Sequence, residues 1–332
     1  APEVKKHLWA FLVCDGRLSV ELVMDALEAA GNNRHRIANS VESLRRLGFL
    51  RLGNYPGVRL GPLKAVVKRQ LGSESGDIEQ QLSSWIIEQA LVGALVPTPH
   101  LLPIALLSSD MTTLLRFYCE LVHRLIEVRD FSMAEQLVSK RVPLTRPARQ
   151  SGLFQDLEAV LYSARLRLAL ARRDWKTATA LWNSRQQLSG GAFYRGLVSL
   201  QLGRYALSQR QIADAESYVK KAMVDLQDED PSWTNSASID FGGVLLARHK
   251  LSDAREYFVM ARPRNPTQRT TYSYLRSILM ESVALFLRGS FSQVLTYAEQ
   301  LVEETEQQFM RSWNIFSRFL HARVLIELGE YP

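Results

Sequence analysis

The sequence predicts a mainly α protein, in which a small basic module precedes an α–α superhelix of stacked helical hairpins. Three observations predict it. A turn residue followed three positions later by a small helix residue recurs at Phe131–Ala134, Trp175–Ala178, Ile212–Ala215, Leu251–Ala254 and Phe291–Val294. The small residues lie 44, 37, 39 and 40 positions apart, with apolar residues at helical spacing on both sides. A period near 40 of this kind means helix pairs that bury their apolar faces only by stacking on one another. The third observation is charge: residues 1–72 hold 12 Lys/Arg against 6 Asp/Glu, whereas the remaining 260 residues hold 29 against 28. Nearly all of the net charge of +7 therefore sits in the first fifth of the chain.

At 332 residues, 46% hydrophobic and 23% charged, the composition is that of an ordinary globular protein. The length exceeds one average core but suits a solenoid with an attached small domain. No apolar run reaches the roughly 18 residues needed to span a bilayer. Asp15 and Arg17 cut short the first apolar stretch, so no signal-peptide pattern is present and a cytoplasmic location is expected. Cys14 and Cys119 lie in apolar helical stretches and read as buried thiols, a disulfide being the alternative.

Residues 4–14 read as a helix with Leu8, Phe11 and Leu12 on one side. Ser19 caps a second helix carrying Leu22, Val23, Ala26 and Leu27, with Glu21 and Asp25 near its positive end. After the break at Gly31, Asn33 caps a third helix that turns Ile37, Val41, Leu44 and Leu47 inward and stops at Gly48. Phe49–Leu52 and Val58–Leu60 flank Gly53–Gly57 and read as a short β-hairpin. Three helices and a two-stranded wing make residues 1–72 a winged helix-turn-helix. The outward side of its third helix carries Arg34, His35, Arg36, Asn39, Arg45 and Arg46, side chains suited to base edges in the major groove, and Arg51 lies within reach of phosphate. The alternative is a structural module packed against a neighbour, since Glu42 in the middle of that face repels phosphate.

Residues 8–72 resemble the winged-helix segment of the STAND ATPases, signalling NTPases that include the maltose-regulon-type activators. The resemblance lies in Leu8–Phe11, Asp15–Ser19, Ser43–Leu50 and Arg59–Val67. It implies a winged helix placed between a nucleotide-binding core and a helical-repeat sensor. It departs at Gly61, where the family has a nucleotide-contacting His, because glycine has no side chain to sense a phosphate. None of the 18 glycines is followed by Lys, so a phosphate loop is absent from these residues. The NTPase core is expected either upstream in a longer parent or not at all.

Gly72–Asp77 reads as a polar hinge, and residues 73–109 as a helical junction with a helix near 78–93 carrying Leu82, Trp85, Ile86 and Gln89. Pro97, Pro99 and Pro103 forbid its continuation. Hairpins occupy 110–332. The clearest unit holds Phe241, Gly242, Leu245, Ala254, Phe258 and Ala261, and Leu202, Gly203, Ala206, Ala215, Val219 and Ala222 repeat its offsets. These offsets resemble the tetratricopeptide repeat (TPR): small residues let two helices cross closely, and large ones fill the gap between pairs. Other units are degenerate, with Val122 or Leu166 in the glycine position. The last helix, with Trp313, Phe316, Leu320, Val324 and Leu328, reads as half of a further pair, so the array is expected to be truncated at its C-terminal end.

The first helix of each pair in such an array lines the concave side. That places Arg167, Arg204, Arg276 and Arg323 beside Leu200, Leu246, Phe286 and Phe319. Arginines among apolar side chains clamp an acidic peptide or small anion at about 1.5–3 kcal/mol per charge-assisted bond. The alternative is that they are solvated or paired with acids on the next hairpin. Trp9, Trp85, Trp175, Trp182 and Trp313 sit at helical spacing and are expected in the core. The six histidines are scattered, without metal-ligand spacing, and no nucleophile elbow or dinucleotide fingerprint occurs. No metal, cofactor or catalytic activity is expected. The expected function is a STAND-type regulatory sensor that binds a protein, peptide or small effector on the array and couples it to the winged helix, with self-association in a longer parent. Direct DNA binding through residues 1–72, or a scaffold or chaperone role, are the alternatives.

Overall fold

The computed structural model describes residues 2–14, 17–47, 61–139, 144–184, 190–229, 231–262, 272–307 and 311–330. Among these residues every regular element is an α-helix, eighteen in all, and there is no strand. The expected wing at 49–60, with Arg51, lies outside the described residues. No helix among the described residues is long and apolar enough to cross a membrane.

The chain forms two compact units, residues 1–125 with 143–153 and residues 126–142 with 154–332. In the first, helix starts follow cap chemistry. α1 (Pro2–Cys14) is followed by α2 (Val20–Ala29), where the Ser19 hydroxyl accepts the Leu22 N–H at 3.3 Å. α3 (Arg34–Arg46) begins where the Asn33 side chain accepts the amides of His35 and Arg36. Next come α4 (Gly61–Leu71), α5 (Glu74–Leu91), α6 (Leu102–Ala105), α7 (Met111–Glu127), whose last two residues, Ile126 and Glu127, belong to the second unit, and α9 (Thr145–Gln150). α1 touches α2, α3, α4 and α5, so Trp9 and Phe11 are fully buried alongside Val23, Ile37, Leu44 and Ile86.

Two expectations are refined here. The non-helical part of the polar run Gly72–Asp77 is shorter than the run itself: α5 already starts at Glu74, and the Ser75 hydroxyl donates to the Gly72 carbonyl at 2.7 Å. Glu74 and Asp77 explain this, since acids in a first turn complement the helix dipole. Leu47 does not point inward; it is 66% exposed. It lies about 90° around the helix from the stripe of Ile37, Val41 and Leu44 and takes the C-cap position.

The second unit holds α8 (Phe131–Ser139), α10 (Phe154–Arg172), α11 (Trp175–Asn183), α12 (Ala192–Ser208), α13 (Ile212–Leu226) and α14 (Pro231–Ala247). α15 (Leu251–Met260), α16 (Tyr272–Leu287), α17 (Phe291–Gln307) and α18 (Arg311–Leu328) complete it. From α10 to α18 each helix packs on the next, and α10, α12, α14 and α16 also touch in series. Turns of two or three residues between partners make each pair antiparallel.

The turns recur with the same period as the small residues. Arg129, Arg173, Arg210 and His249 have φ of 62°, 58°, 60° and 59°, and Gly289 takes φ 78° at the next position in the series. Each lies five residues before its small partner, which is Ala134, Ala178, Ala215, Ala254 or Val294, and all five partners are fully buried. The amide after the left-handed residue reaches back five residues, as in Gln211 to the Ala206 carbonyl and Lys250 to the Leu245 carbonyl, both 2.9 Å. This is the Schellman closure of a helix end. The glycine positions act as the offsets predict. A Cβ on Gly203 would lie 2.5 Å from Val219 Cγ2, and one on Gly242 would lie 2.4 Å from Phe258 Cε1. Only glycine lets these helices approach so closely. Ala206, Ala215, Val219, Phe241, Leu245, Ala254, Phe258 and Ala261 share one buried cluster.

Candidate functional site

The inner helices of successive pairs carry one charged residue each at nearly constant register: Arg167 on α10, Arg204 on α12, Asp240 on α14 and Arg276 on α16, at steps of 37, 36 and 36. Stacking of the pairs brings these positions side by side. Arg204 Nε donates to Asp240 Oδ2 at 2.6 Å, its Nη1 to Gln201 Oε1 at 3.1 Å and its Nη2 to Ser236 Oγ at 3.0 Å. Arg276 Nη2 donates to the other oxygen, Asp240 Oδ1. Arg167 Nη2 donates to Glu127 Oε1 at 2.8 Å. Asp240 thus bridges two guanidiniums from the helices on either side of its own.

Burial decides the electrostatics. The Asp240 side chain is 4% exposed and that of Arg204 is 15% exposed. Desolvation pushes the Asp240 carboxyl up, but Arg204 and Arg276 more than offset it and hold it below the ordinary aspartate range. Arg204 is pushed down to about 10, first by burial; Asp240 opposes that, and repulsion from Arg276 and Arg167 adds to it. The two directions are consistent, because the acid is shared by two cations while the cation faces two others. Arg204 and Asp240 therefore both remain charged at neutral pH.

The three arginines open on a cleft of about 290 Å³, lined further by Leu170, Ala171, Trp175, Gln201 and Ser208. Trp175 is 44% exposed, contrary to its expected place in the core: as the first residue of α11 it stands at the rim of its pair. Gln201 is fully buried, and its Nε2 has no hydrogen-bond partner.

The cleft gathers Arg167, Arg204 and Arg276 from the expected concave set, and each is paired with an acid from a neighbouring pair of helices. Phe286, Phe319 and Arg323 are not among its lining. Phe286 packs edge-on to Phe291, with ring centroids 5.4 Å apart, which places it inside its own pair. Phe319 is 69% exposed on α18, and Arg323 pairs with Glu327 one turn along the same helix. Sequence reasoning missed Asp240, Glu127 and Gln201. Asp240 occupies the arginine register, so its offset was the available signal.

Among the expected DNA-facing residues, Arg34 is held by Asp25 at 2.9 Å and by Glu28, Arg36 by Glu3 at 2.9 Å, and Arg46 by Glu42 at 3.0 Å. His35, Asn39 and Arg45 are exposed. Exposed pairs of this kind are worth about 0–1 kcal/mol, so they tie up the arginines only weakly. Among the described residues no group of three His, Cys, Asp or Glu could hold a metal ion. No protein-family model and no curated protein matches the chain.

Proposed function

We propose that the chain is a non-catalytic regulatory region: a winged helix-turn-helix at 1–72, a helical junction at 73–109 and a TPR-like superhelix at 110–332, as in STAND-type signalling or transcription regulators. The array binds an effector at its arginine cleft and alters how the N-terminal module presents itself or assembles. The observation that carries this reading is the convergence of Arg167 on α10, Arg204 on α12 and Arg276 on α16 on one cleft, beside a Gln201 Nε2 that has no hydrogen-bond partner. The repeated left-handed turns and the glycine crossings support the repeat architecture.

Native mass spectrometry of the chain mixed with a metabolite extract tests it, followed by hydrogen exchange with the retained compound. A bound small molecule that protects α10–α16 and changes exchange in residues 1–72 is expected. Absence of any adduct, or exchange unchanged in residues 1–72, refutes the coupling. The second reading is DNA binding through α3, favoured by the exposed His35, Asn39 and Arg45 beside three arginines held only by surface pairs. It requires duplex binding whose affinity falls steeply with salt. Fluorescence anisotropy that stays flat at about 50 mM salt excludes it.

A further inference from the structure

The lining of the arginine cleft is one-sided in charge. Arg167, Arg204 and Arg276 stand in it, while the acids they pair with, Glu127 and Asp240, do not. In a partly desolvated site guanidiniums attract an anion far more strongly than they would on an open surface. Gln201 adds a second, independent sign. Its Oε1 accepts from Arg204, while its Nε2, fully buried on the cleft wall, has no acceptor. Buried donors without partners are rare in folded proteins, and one beside three guanidiniums marks a place where an acceptor belongs. Leu170, Ala171 and Trp175 supply an apolar side. The volume of about 290 Å³ stands at the lower edge of small-ligand pockets and suits a small molecule rather than a length of peptide.

We propose that this cleft binds a small organic anion, a carboxylate or phosphate monoester bearing an apolar or aromatic group. The acid lies among the guanidiniums and the Gln201 amide, and the carbon part lies against Leu170, Ala171 and Trp175. The inference rests on the reading of the array as a ligand sensor and names the class of ligand.

Isothermal titration of the whole chain at constant ionic strength tests it, with benzoate, phenyl phosphate, inorganic phosphate and neutral benzamide as probes. Benzoate or phenyl phosphate binds, the tighter one identifying the acid, and benzamide is weaker by about 10- to 100-fold, as loss of charge-assisted bonds requires. Gln201→Glu places a carboxylate among the guanidiniums from within; it raises the thermal midpoint and abolishes binding. Trp175→Ala, at an exposed position that leaves the fold intact, weakens benzoate or phenyl phosphate while inorganic phosphate is unaffected. Benzamide binding as tightly as benzoate overturns the anion assignment but leaves the sensor reading standing. Silence of every anionic probe, or unchanged binding by Gln201→Glu, overturns the proposal. The sensor reading itself falls only with the hydrogen-exchange experiment above.

Discussion

Replacing Gly242 with alanine places a methyl carbon 2.4 Å from Phe258 Cε1 and 2.8 Å from both Cδ1 and Cζ of the same ring. Phe258 is fully buried on α15, so the ring has no solvent to swing into. Alanine gains about 1 kcal/mol over glycine in a helix interior. Overpacking a close-packed core costs about 1–3 kcal/mol, and three sub-3 Å contacts to one rigid ring put this site in the upper part of that range. The overpacking wins, and Gly242→Ala destabilises by about 1–2 kcal/mol. The neighbouring Gly243→Ala meets nothing nearer than 3.7 Å, at Leu207 Cδ2, so propensity decides and it stabilises by about 0.5–1 kcal/mol. Urea unfolding followed by far-UV circular dichroism reads both as midpoint shifts of opposite sign. Phe258→Leu in the Gly242→Ala background recovers part of the loss, because the two sites touch. If both alanines shift the midpoint upward, α14 and α15 do not cross through Gly242 and the close-packed pair is wrong.

Asp240→Asn removes the shared anion from beneath Arg204 and Arg276 and leaves two guanidiniums around a neutral amide; a loss of about 3–5 kcal/mol is expected in the same urea assay, and a change below about 1 kcal/mol means the bridge is not formed. His7 is 2% exposed, and burial lowers its pKa below the ordinary value of 6.5. The unfolded imidazole therefore binds its proton at a higher pH than the folded one does, so the contribution of His7 is present above 6.5 and is lost as the pH falls through the lowered folded value. Unfolding free energies of wild type and His7→Leu, compared at about pH 7 and pH 5, are expected to show the steeper decline in wild type, and equal slopes contradict the burial effect.

Local chemistry made much of this fold readable. Ser19 and Asn33 cap helices because their oxygens accept amides two or three residues on, which needs no tertiary partner. Ala134, Ala178, Ala215, Ala254 and Val294 are recognisable because each helix pair repeats one crossing, and repetition reveals a constraint that a single pair hides. Leu47 misled because an apolar residue at a helix end carries no information on which way the final turn faces. The cleft was half legible for a related reason. Register placed Arg167, Arg204 and Arg276 on one side, yet which acid meets them depends on contacts more than thirty residues away in sequence, such as Arg204 with Asp240. Trp175 reads as core by spacing alone, and its exposure follows from its place at the first position of α11.

The left-handed turns have a consequence for how this chain can change its length. Arg173, Arg210, His249 and Gly289 share nearly one backbone torsion, and each is followed by the same backward amide bond. A splice from one such residue to the next removes or adds a complete helix pair while every junction keeps its local geometry. Because three of those four positions tolerate a bulky side chain at positive φ, the modularity resides in the main chain, and the residue identity at the seam is left open to drift.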